Sequence, residues 1–240
     1  MNKAVILAAG RGTRMEGLTE DRPKPMIPLA GKPMLEHILD RLRAAGFDAV
    51  FIVTGYKAEM IESHFEGYPM SITYARQTTI DGTARATMLA REWVGEDAFL
   101  LTYGDILAEP GDYEAMGARL DDASIASELA VRWVDDPWQG AAVYVEGGFP
   151  NERVTRIVEK PVPGTSATRW NSAGVYTFRH TIFDEMARVP KSARGEYELT
   201  SAVEQLIDSG ARLTIHACEG AWRDVGRPGD ISVAEGMLDG

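Results

Sequence analysis

Apolar positions along the chain switch between unbroken short runs and a helical spacing. Ala4-Val5-Ile6-Leu7-Ala8-Ala9 is continuously apolar and ends at Gly10, the pattern of a strand covered on both faces in a parallel sheet. About twenty residues follow that are too rich in glycine, proline and charge for a regular element. From Pro33, suited to a first helical position, Met34, Leu35, Ile38, Leu39 and Leu42 recur at helical spacing until Gly46. Ala49 to Thr54 is a second buried run, closed by Gly55 and followed by an amphipathic piece carrying Met60, Ile61 and Phe65, then a strand from Ser71 to Ala75. A helical pattern from about Thr83 to Trp93 leads into the apolar run 98–102, which ends at Tyr103-Gly104-Asp105. This rhythm predicts βαβ units, and ligands of such sheets gather beyond the carboxyl ends of the strands, where Asp105 would stand.

After about residue 123 the texture changes. Segments 124–134, 141–146, 154–159 and 174–178 read as strands with few helices between them. Helical patterns at 182–187 and 199–207, a strand at 212–217 and a last helix from about Pro228 complete the chain. The predicted fold is α/β, with a Rossmann-like, mixed and mostly parallel central sheet flanked by helices, in one domain spanning 1–240. No linker, low-complexity run or repeat divides it.

Composition narrows the class. The 240 residues are 45% hydrophobic and 25% charged, with one cysteine and a net charge of −11. Near-average apolar and charged fractions argue for a globular chain and against disorder, collagen or coiled coil. The acidic excess disfavours nucleic acid and anionic membranes as partners. No run approaches a membrane span, and the first apolar run is too short for a signal peptide, so the amino terminus is expected to belong to the fold. Cys218 alone makes no intrachain disulfide and no Cys/His set has zinc spacing, so a cytoplasmic protein without structural zinc is expected. His37, His64, His180 and His216 lie in no recognisable triad or dyad spacing and read as solvated or structural.

Locally the charge reverses. Residues 11–32 carry Arg11, Arg14, Arg22, Lys24 and Lys32 against Glu16, Glu20 and Asp21. Glycines after a buried strand let backbone N–H groups surround phosphate oxygens, while Arg14 and Lys24 neutralise their charge. Two familiar loops fail on the letters. A dinucleotide fingerprint meets Met15 where its third glycine belongs, and a P-loop meets Leu18-Thr19 after Gly17 where Lys-Ser/Thr belongs.

The run Leu7-Ala8-Ala9-Gly10-Arg11-Gly12-Thr13-Arg14, with Lys24-Pro25 beyond it, resembles the signature of the sugar-1-phosphate nucleotidyltransferases. The resemblance continues in order through Gln77 with Asp81-Gly82-Thr83-Ala84, Gly104-Asp105, Trp138-Gln139-Gly140, Glu159-Lys160-Pro161, Asn171 to Tyr176, Glu196 to Thr200, and Trp222-Arg223-Asp224-Val225-Gly226. It implies a nucleotide-binding half over about 1–122 and a sugar-binding half over about 123–240. It further implies an in-line attack of a sugar-1-phosphate oxygen on the α-phosphorus of a nucleoside triphosphate, with pyrophosphate leaving and no protein nucleophile required.

By that resemblance Arg14, Lys24 and Asp105 act in catalysis, and Asp105 and Asp224 hold Mg²⁺. Leu7, Ala9, Gly10, Gly12, Thr13, Gln77, Gly82 and Thr83 bind the nucleotide, and Gly140, Glu159, Lys160, Asn171 and Glu196 bind the sugar phosphate. UTP or dTTP is favoured, with GTP as an alternative, and the acceptor is glucose-1-phosphate-like, with choline phosphate or a heptose phosphate as other options. A homo-oligomer is compatible with this reading. The sequence carries no hexapeptide repeats, so a second, acetyltransferase activity is not expected. Competing readings are a non-catalytic regulatory subunit of the same fold, disfavoured because both metal carboxylates are present, and a nicotinamide oxidoreductase, disfavoured by Met15. Trp133, Trp138 and Trp170 line the pocket or fill the core, with core the better expectation for Trp133.

Overall fold

The computed structural model describes residues 1–148 and 152–238. The first half builds β1 (Lys3–Leu7), the two-residue strands β2 (Pro28–Leu29) and β3 (Lys32–Pro33), α1 (Met34–Ala44), β4 (Ala49–Thr54), α2 (Ala58–His64), β5 (Ser71–Arg76), α3 (Thr83–Met88), α4 (Arg91–Val94), β6 (Phe99–Tyr103), β7 (Ile106–Leu107) and α5 (Pro110–Arg119). The second half adds β8 (Ser127–Trp133), β9 (Ala141–Glu146), β10 (Arg153–Glu159), β11 (Trp170–Phe178), α6 (Ile182–Arg188), α7 (Leu199–Asp208), β12 (Leu213–Ala217), β13 (Arg223–Asp224) and α8 (Asp230–Gly236).

Strand β1 lies at the centre, parallel to β4 on one side and to β6 on the other, with β5 parallel beyond β4. The chain leaves β1 towards β4 and β5 and returns across it to reach β6. The carboxyl end of β1 is therefore a topological switch point, where a crevice opens between diverging connections. Beyond β6 the sheet turns antiparallel through β11, which carries β8 and β9, with β10 beside β9 and β12 parallel to β8. The expected α/β fold with a mixed sheet is what the structure contains.

Alternation along β1 feeds two cores. Ala4, Ile6 and Ala8 pack on one face with the helical stripe Met34, Leu35, Ile38, Leu39 and Leu42 of α1, which is why that spacing was needed. Val5, Leu7 and Ala9 pack on the other face with α3, α6 and α7.

Several expectations are corrected. The irregular segment after β1 contains two short 3-10 turns, Thr13–Thr19 and Lys24–Met26, and the β2–β3 ladder. The helix expected over Thr83 to Trp93 is two short helices, and within α3 the Thr87 hydroxyl donates to the Thr83 carbonyl at 2.8 Å, a back-bond that bends helices. Helix α5 was not foreseen, because Gly111 and Gly117 weaken its pattern and few of its residues are buried. Strand β11 begins at Trp170, four residues before the expected start. Trp133 is not core: it is 58% exposed, with its ring edge-on to Trp170 at 4.8 Å.

Candidate active site

The crevice at the end of β1 is occupied by the glycine-rich loop. Gly12 has φ 72°, a left-handed backbone that favours glycine, and a Cβ there would lie 2.7 Å from Cβ of Lys24. The loop therefore packs directly on the Lys24 stem. Met15, fully buried, anchors it, and Thr19 Oγ1 donates to the Gly12 carbonyl at 3.2 Å. Lys24 is itself buried, and its ammonium pairs with Asp105 Oδ2. A buried ammonium beside a glycine-rich turn, with Arg14 lining the same cavity, is chemically suited to an anion.

Asp105 and Asp224, far apart in the chain, are brought together by the β7–β13 ladder. Asp224 pairs with Ile106, and the Val225 amide donates to the Asp105 carbonyl at 2.9 Å. The Asp224 side chain opens into the cleft, yet the protein mass around it and then the Asp105 charge push its carboxyl up to about 6, against the pull of Lys24 and Arg14. Such a pair calls for a further positive charge. Two hard carboxylate donors suit Mg²⁺, which takes one or two carboxylates and completes its shell with phosphate oxygens and water.

Two adjoining cavities meet at this point. One of about 280 Å³ is lined by Leu7, Ala9, Gly10, Gly12, Gln77, Gly82 and Thr83. The other, about 660 Å³, reaches Gly140, Glu159, Lys160, Asn171 and Asp224, and both are lined by Arg14, Asp105 and Glu196. Of the residues expected to bind nucleotide, sugar phosphate or metal, Thr13 alone lines neither cavity, and it is exposed.

In the smaller cavity the Gln77 amide nitrogen donates to the Gly82 carbonyl at 3.3 Å, which leaves its carbonyl oxygen for a ligand. Gly82 has φ 125°, and a Cβ on it would stand 2.3 Å from the Tyr197 carbonyl oxygen. That contact belongs to a short backbone clasp: Tyr197 N donates to Asp81 O at 2.8 Å and Ala84 N to Tyr197 O at 2.9 Å. The expected base-reading segment is thus tied to the segment carrying Glu196.

In the larger cavity Glu159 ends β10, and Lys160 sits in a left-handed backbone at φ 42° immediately before Pro161, a sparsely populated conformation for a non-glycine residue. Its amide donates to the Gly140 carbonyl at 2.7 Å. Burial raises the Glu159 carboxyl, against the charge of Arg194.

Sequence reasoning missed Arg194. Its guanidinium lies 3.3 Å from Glu159 and 3.0 Å from Glu198, and all three line the cavity. The matched segment was read from Glu196, two residues too late to include it. Trp138 is 42% exposed and does not line the cavity, whereas Trp222 does, donating from its indole to the Ala173 carbonyl at 2.9 Å.

Comparison with known proteins agrees with this arrangement. The chain is 36% identical over 239 residues to the bifunctional protein GlmU of Methanocaldococcus jannaschii, covering 98% of this chain and 54% of that protein. It is 36% identical over 243 residues to the UTP–glucose-1-phosphate uridylyltransferase AglF of Haloferax volcanii, covering 98% of this chain and 96% of the relative. It thus spans about half the length of the bifunctional relatives it matches and nearly all of AglF. A crystal structure of a UDP-glucose pyrophosphorylase complexed with UDP-glucose superposes with a TM-score of 0.90 at 20% identity, covering 100% of this chain and 98% of that one, which shows a shared fold. The profile of the nucleotidyl transferase family matches residues 3–238, and the chain belongs to that family.

Proposed function

We propose that the chain transfers a nucleotidyl group from a nucleoside triphosphate, UTP or dTTP in preference to GTP, to a sugar-1-phosphate resembling glucose-1-phosphate, releasing pyrophosphate. The observation that carries this reading is the double cavity, with the glycine-rich loop and Lys24 in one part, Glu159, Lys160 and Asn171 in the other, Asp105 lining both and Asp224 the larger. The likeness to AglF over nearly its whole length supports UTP and glucose-1-phosphate as the first pair to test.

The smaller cavity receives the base and triphosphate. The Gln77 carbonyl and the backbone near Gly82 meet the base edge, while amides of the 10–14 loop surround phosphate oxygens. Arg14 and Lys24 neutralise charge that grows on the transferred phosphoryl and the departing pyrophosphate. Lys160 holds the acceptor phosphate, and Glu159, Asn171, Glu196 and the Gly140 backbone orient the sugar hydroxyls so that the attacking oxygen lies in line with the leaving group. Asp105 and Asp224 hold Mg²⁺, which when bound withdraws charge from phosphate oxygens. A lone free thiol and triphosphate substrates fit a reducing cytoplasm.

Pyrophosphate release from a panel of nucleoside triphosphates and sugar-1-phosphates tests the reading. Release is expected to need Mg²⁺ and to fall by orders of magnitude in Asp105→Ala. Unchanged turnover in that variant overturns the metal assignment, and no release with any pair overturns the function.

A further inference from the structure

On the face of the sheet covered by α5, outside both cavities, three side chains of different chemistry converge. His216 and Cys218 are two residues apart at the end of β12, so they point to the same side of the strand. Asp112, in the first turn of α5, meets them there, with Oδ1 2.8 Å from Nε2 of His216. One ligand atom from each of Asp112, His216 and Cys218 lies within 4.8 Å of the others.

A further observation points to a ligand. Asp112 Oδ2 is buried and has no hydrogen-bond partner among the described residues, although a buried carboxylate oxygen left unpaired is costly. The backbone that presents Cys218 is also held in place: its amide donates to Val131 O at 3.0 Å, and Arg132 donates to the carbonyls of Cys218 at 3.2 Å and Gly220 at 2.9 Å.

We propose that Asp112, His216 and Cys218 form a transition-metal site for Zn²⁺, separate from the carboxylate pair in the cleft. An imidazole nitrogen, a thiolate sulfur and one carboxylate oxygen make a borderline-soft donor set that selects zinc over Mg²⁺ or Ca²⁺. Three protein ligands leave a fourth tetrahedral position for water. Binding exchanges the Asp–His hydrogen bond for two metal bonds: the Nε2 proton moves to Nδ1 of a neutral ring, or to solvent from a protonated one, and the Cys218 thiol proton goes to solvent, with no change of oxidation state. The ion staples the first turn of α5 to the strand end from which the chain runs through Trp222 to Asp224. Spacing along the chain gives no sign of this cluster, because its three residues come from two elements joined only by the fold.

The test uses the purified chain, stripped with chelator and titrated with Co²⁺ alone, then with Zn²⁺. A tetrahedral visible spectrum with a near-ultraviolet thiolate-to-cobalt band is expected, displaced by Zn²⁺, with about one zinc retained per chain. With Mg²⁺ already saturating, Zn²⁺ is expected to raise the Tm further. Cys218→Ser should abolish the thiolate band and weaken Zn²⁺ by at least about tenfold. Asp112→Asn gives a second reading should Cys218→Ser fold poorly, and should likewise weaken Zn²⁺ while leaving the thiol in place. An Asp105→Asn/Asp224→Asn double variant should keep the band. The proposal is overturned if the parent chain shows no thiolate band, if both the Cys218 and Asp112 variants bind Zn²⁺ like the parent, or if binding disappears only in the double variant.

Discussion

At the residue scale, Lys24 joins the glycine-rich loop to the carboxylate pair: its stem fills the space that Gly12 leaves open and its ammonium faces Asp105. Lys24→Met keeps the packing stem and removes only the charge. Its kcat/KM for nucleotidyl transfer is expected to fall by about 10² to 10³, the usual cost of a lost group that stabilises charge in the transition state. Circular dichroism should stay that of the parent. Parent-like turnover would show that the ammonium serves folding alone.

Glu128 offers a second residue-scale test. Buried in β8 beside Thr214 and Arg119, it has its carboxyl raised to about 7, by burial first, with His216 and Arg119 opposing. The folded state therefore holds this proton more tightly than the unfolded state, whose carboxyl titrates near 4.5. Stability from this group is fully present below that value and is lost as pH rises to about 7. Denaturant unfolding of Glu128→Gln and of the parent should show their difference moving in the variant's favour across that window, by up to about 3 kcal/mol, and staying constant above it. A pH-independent difference would mean that Glu128 is ionised throughout.

At the element scale, the clasp between the Gly82 turn and Tyr197 links the two cavities. A Cβ at Gly82 meets backbone rather than a movable side chain, and the φ there is strained for any other residue. Gly82→Ala is expected to cost more than about 1 kcal/mol in thermal unfolding and to raise KM for both substrates together. A rise for the nucleotide alone would mean that the clasp does not couple the segments. The same scale shows where the sequence was readable. Strand β4 was legible to the residue, because a buried parallel strand writes its own apolar run, and α1 to within a residue, because its five inward positions keep helical spacing. Helix α5 was not, because its glycines dilute the stripe and Pro110 at its start is a signal that turns share. The break between α3 and α4 has no proline or glycine to mark it.

For the whole molecule, a net charge of −11 coexists with a cleft that carries Arg14, Lys24, Lys160 and Arg194. A ligand bridging the two cavities should stabilise the fold as a unit. Thermal unfolding with UDP-glucose and Mg²⁺ is expected to show one transition at a higher temperature, with about 3 kcal/mol of added stability when UDP-glucose is near a hundred times its Kd. Two separate transitions would show instead that the halves unfold independently.

The sequence by itself determined the succession of strands and helices in the amino half, the glycine-rich loop with Lys24, and the short motifs that enter the cleft. These are local: each is written in neighbouring residues whose spacing matches the period of a strand, a helix or a phosphate-binding turn. Tertiary structure decided the rest. The β7–β13 ladder set Asp224 beside Asp105, the Tyr197 clasp joined the cavities, Arg194 reached Glu159 and Glu198, Trp133 fell outside the core, and Asp112 met His216 and Cys218. Each is a contact between residues of different elements, set by how helices dock on a twisted sheet, and spacing along one chain carries no record of that docking.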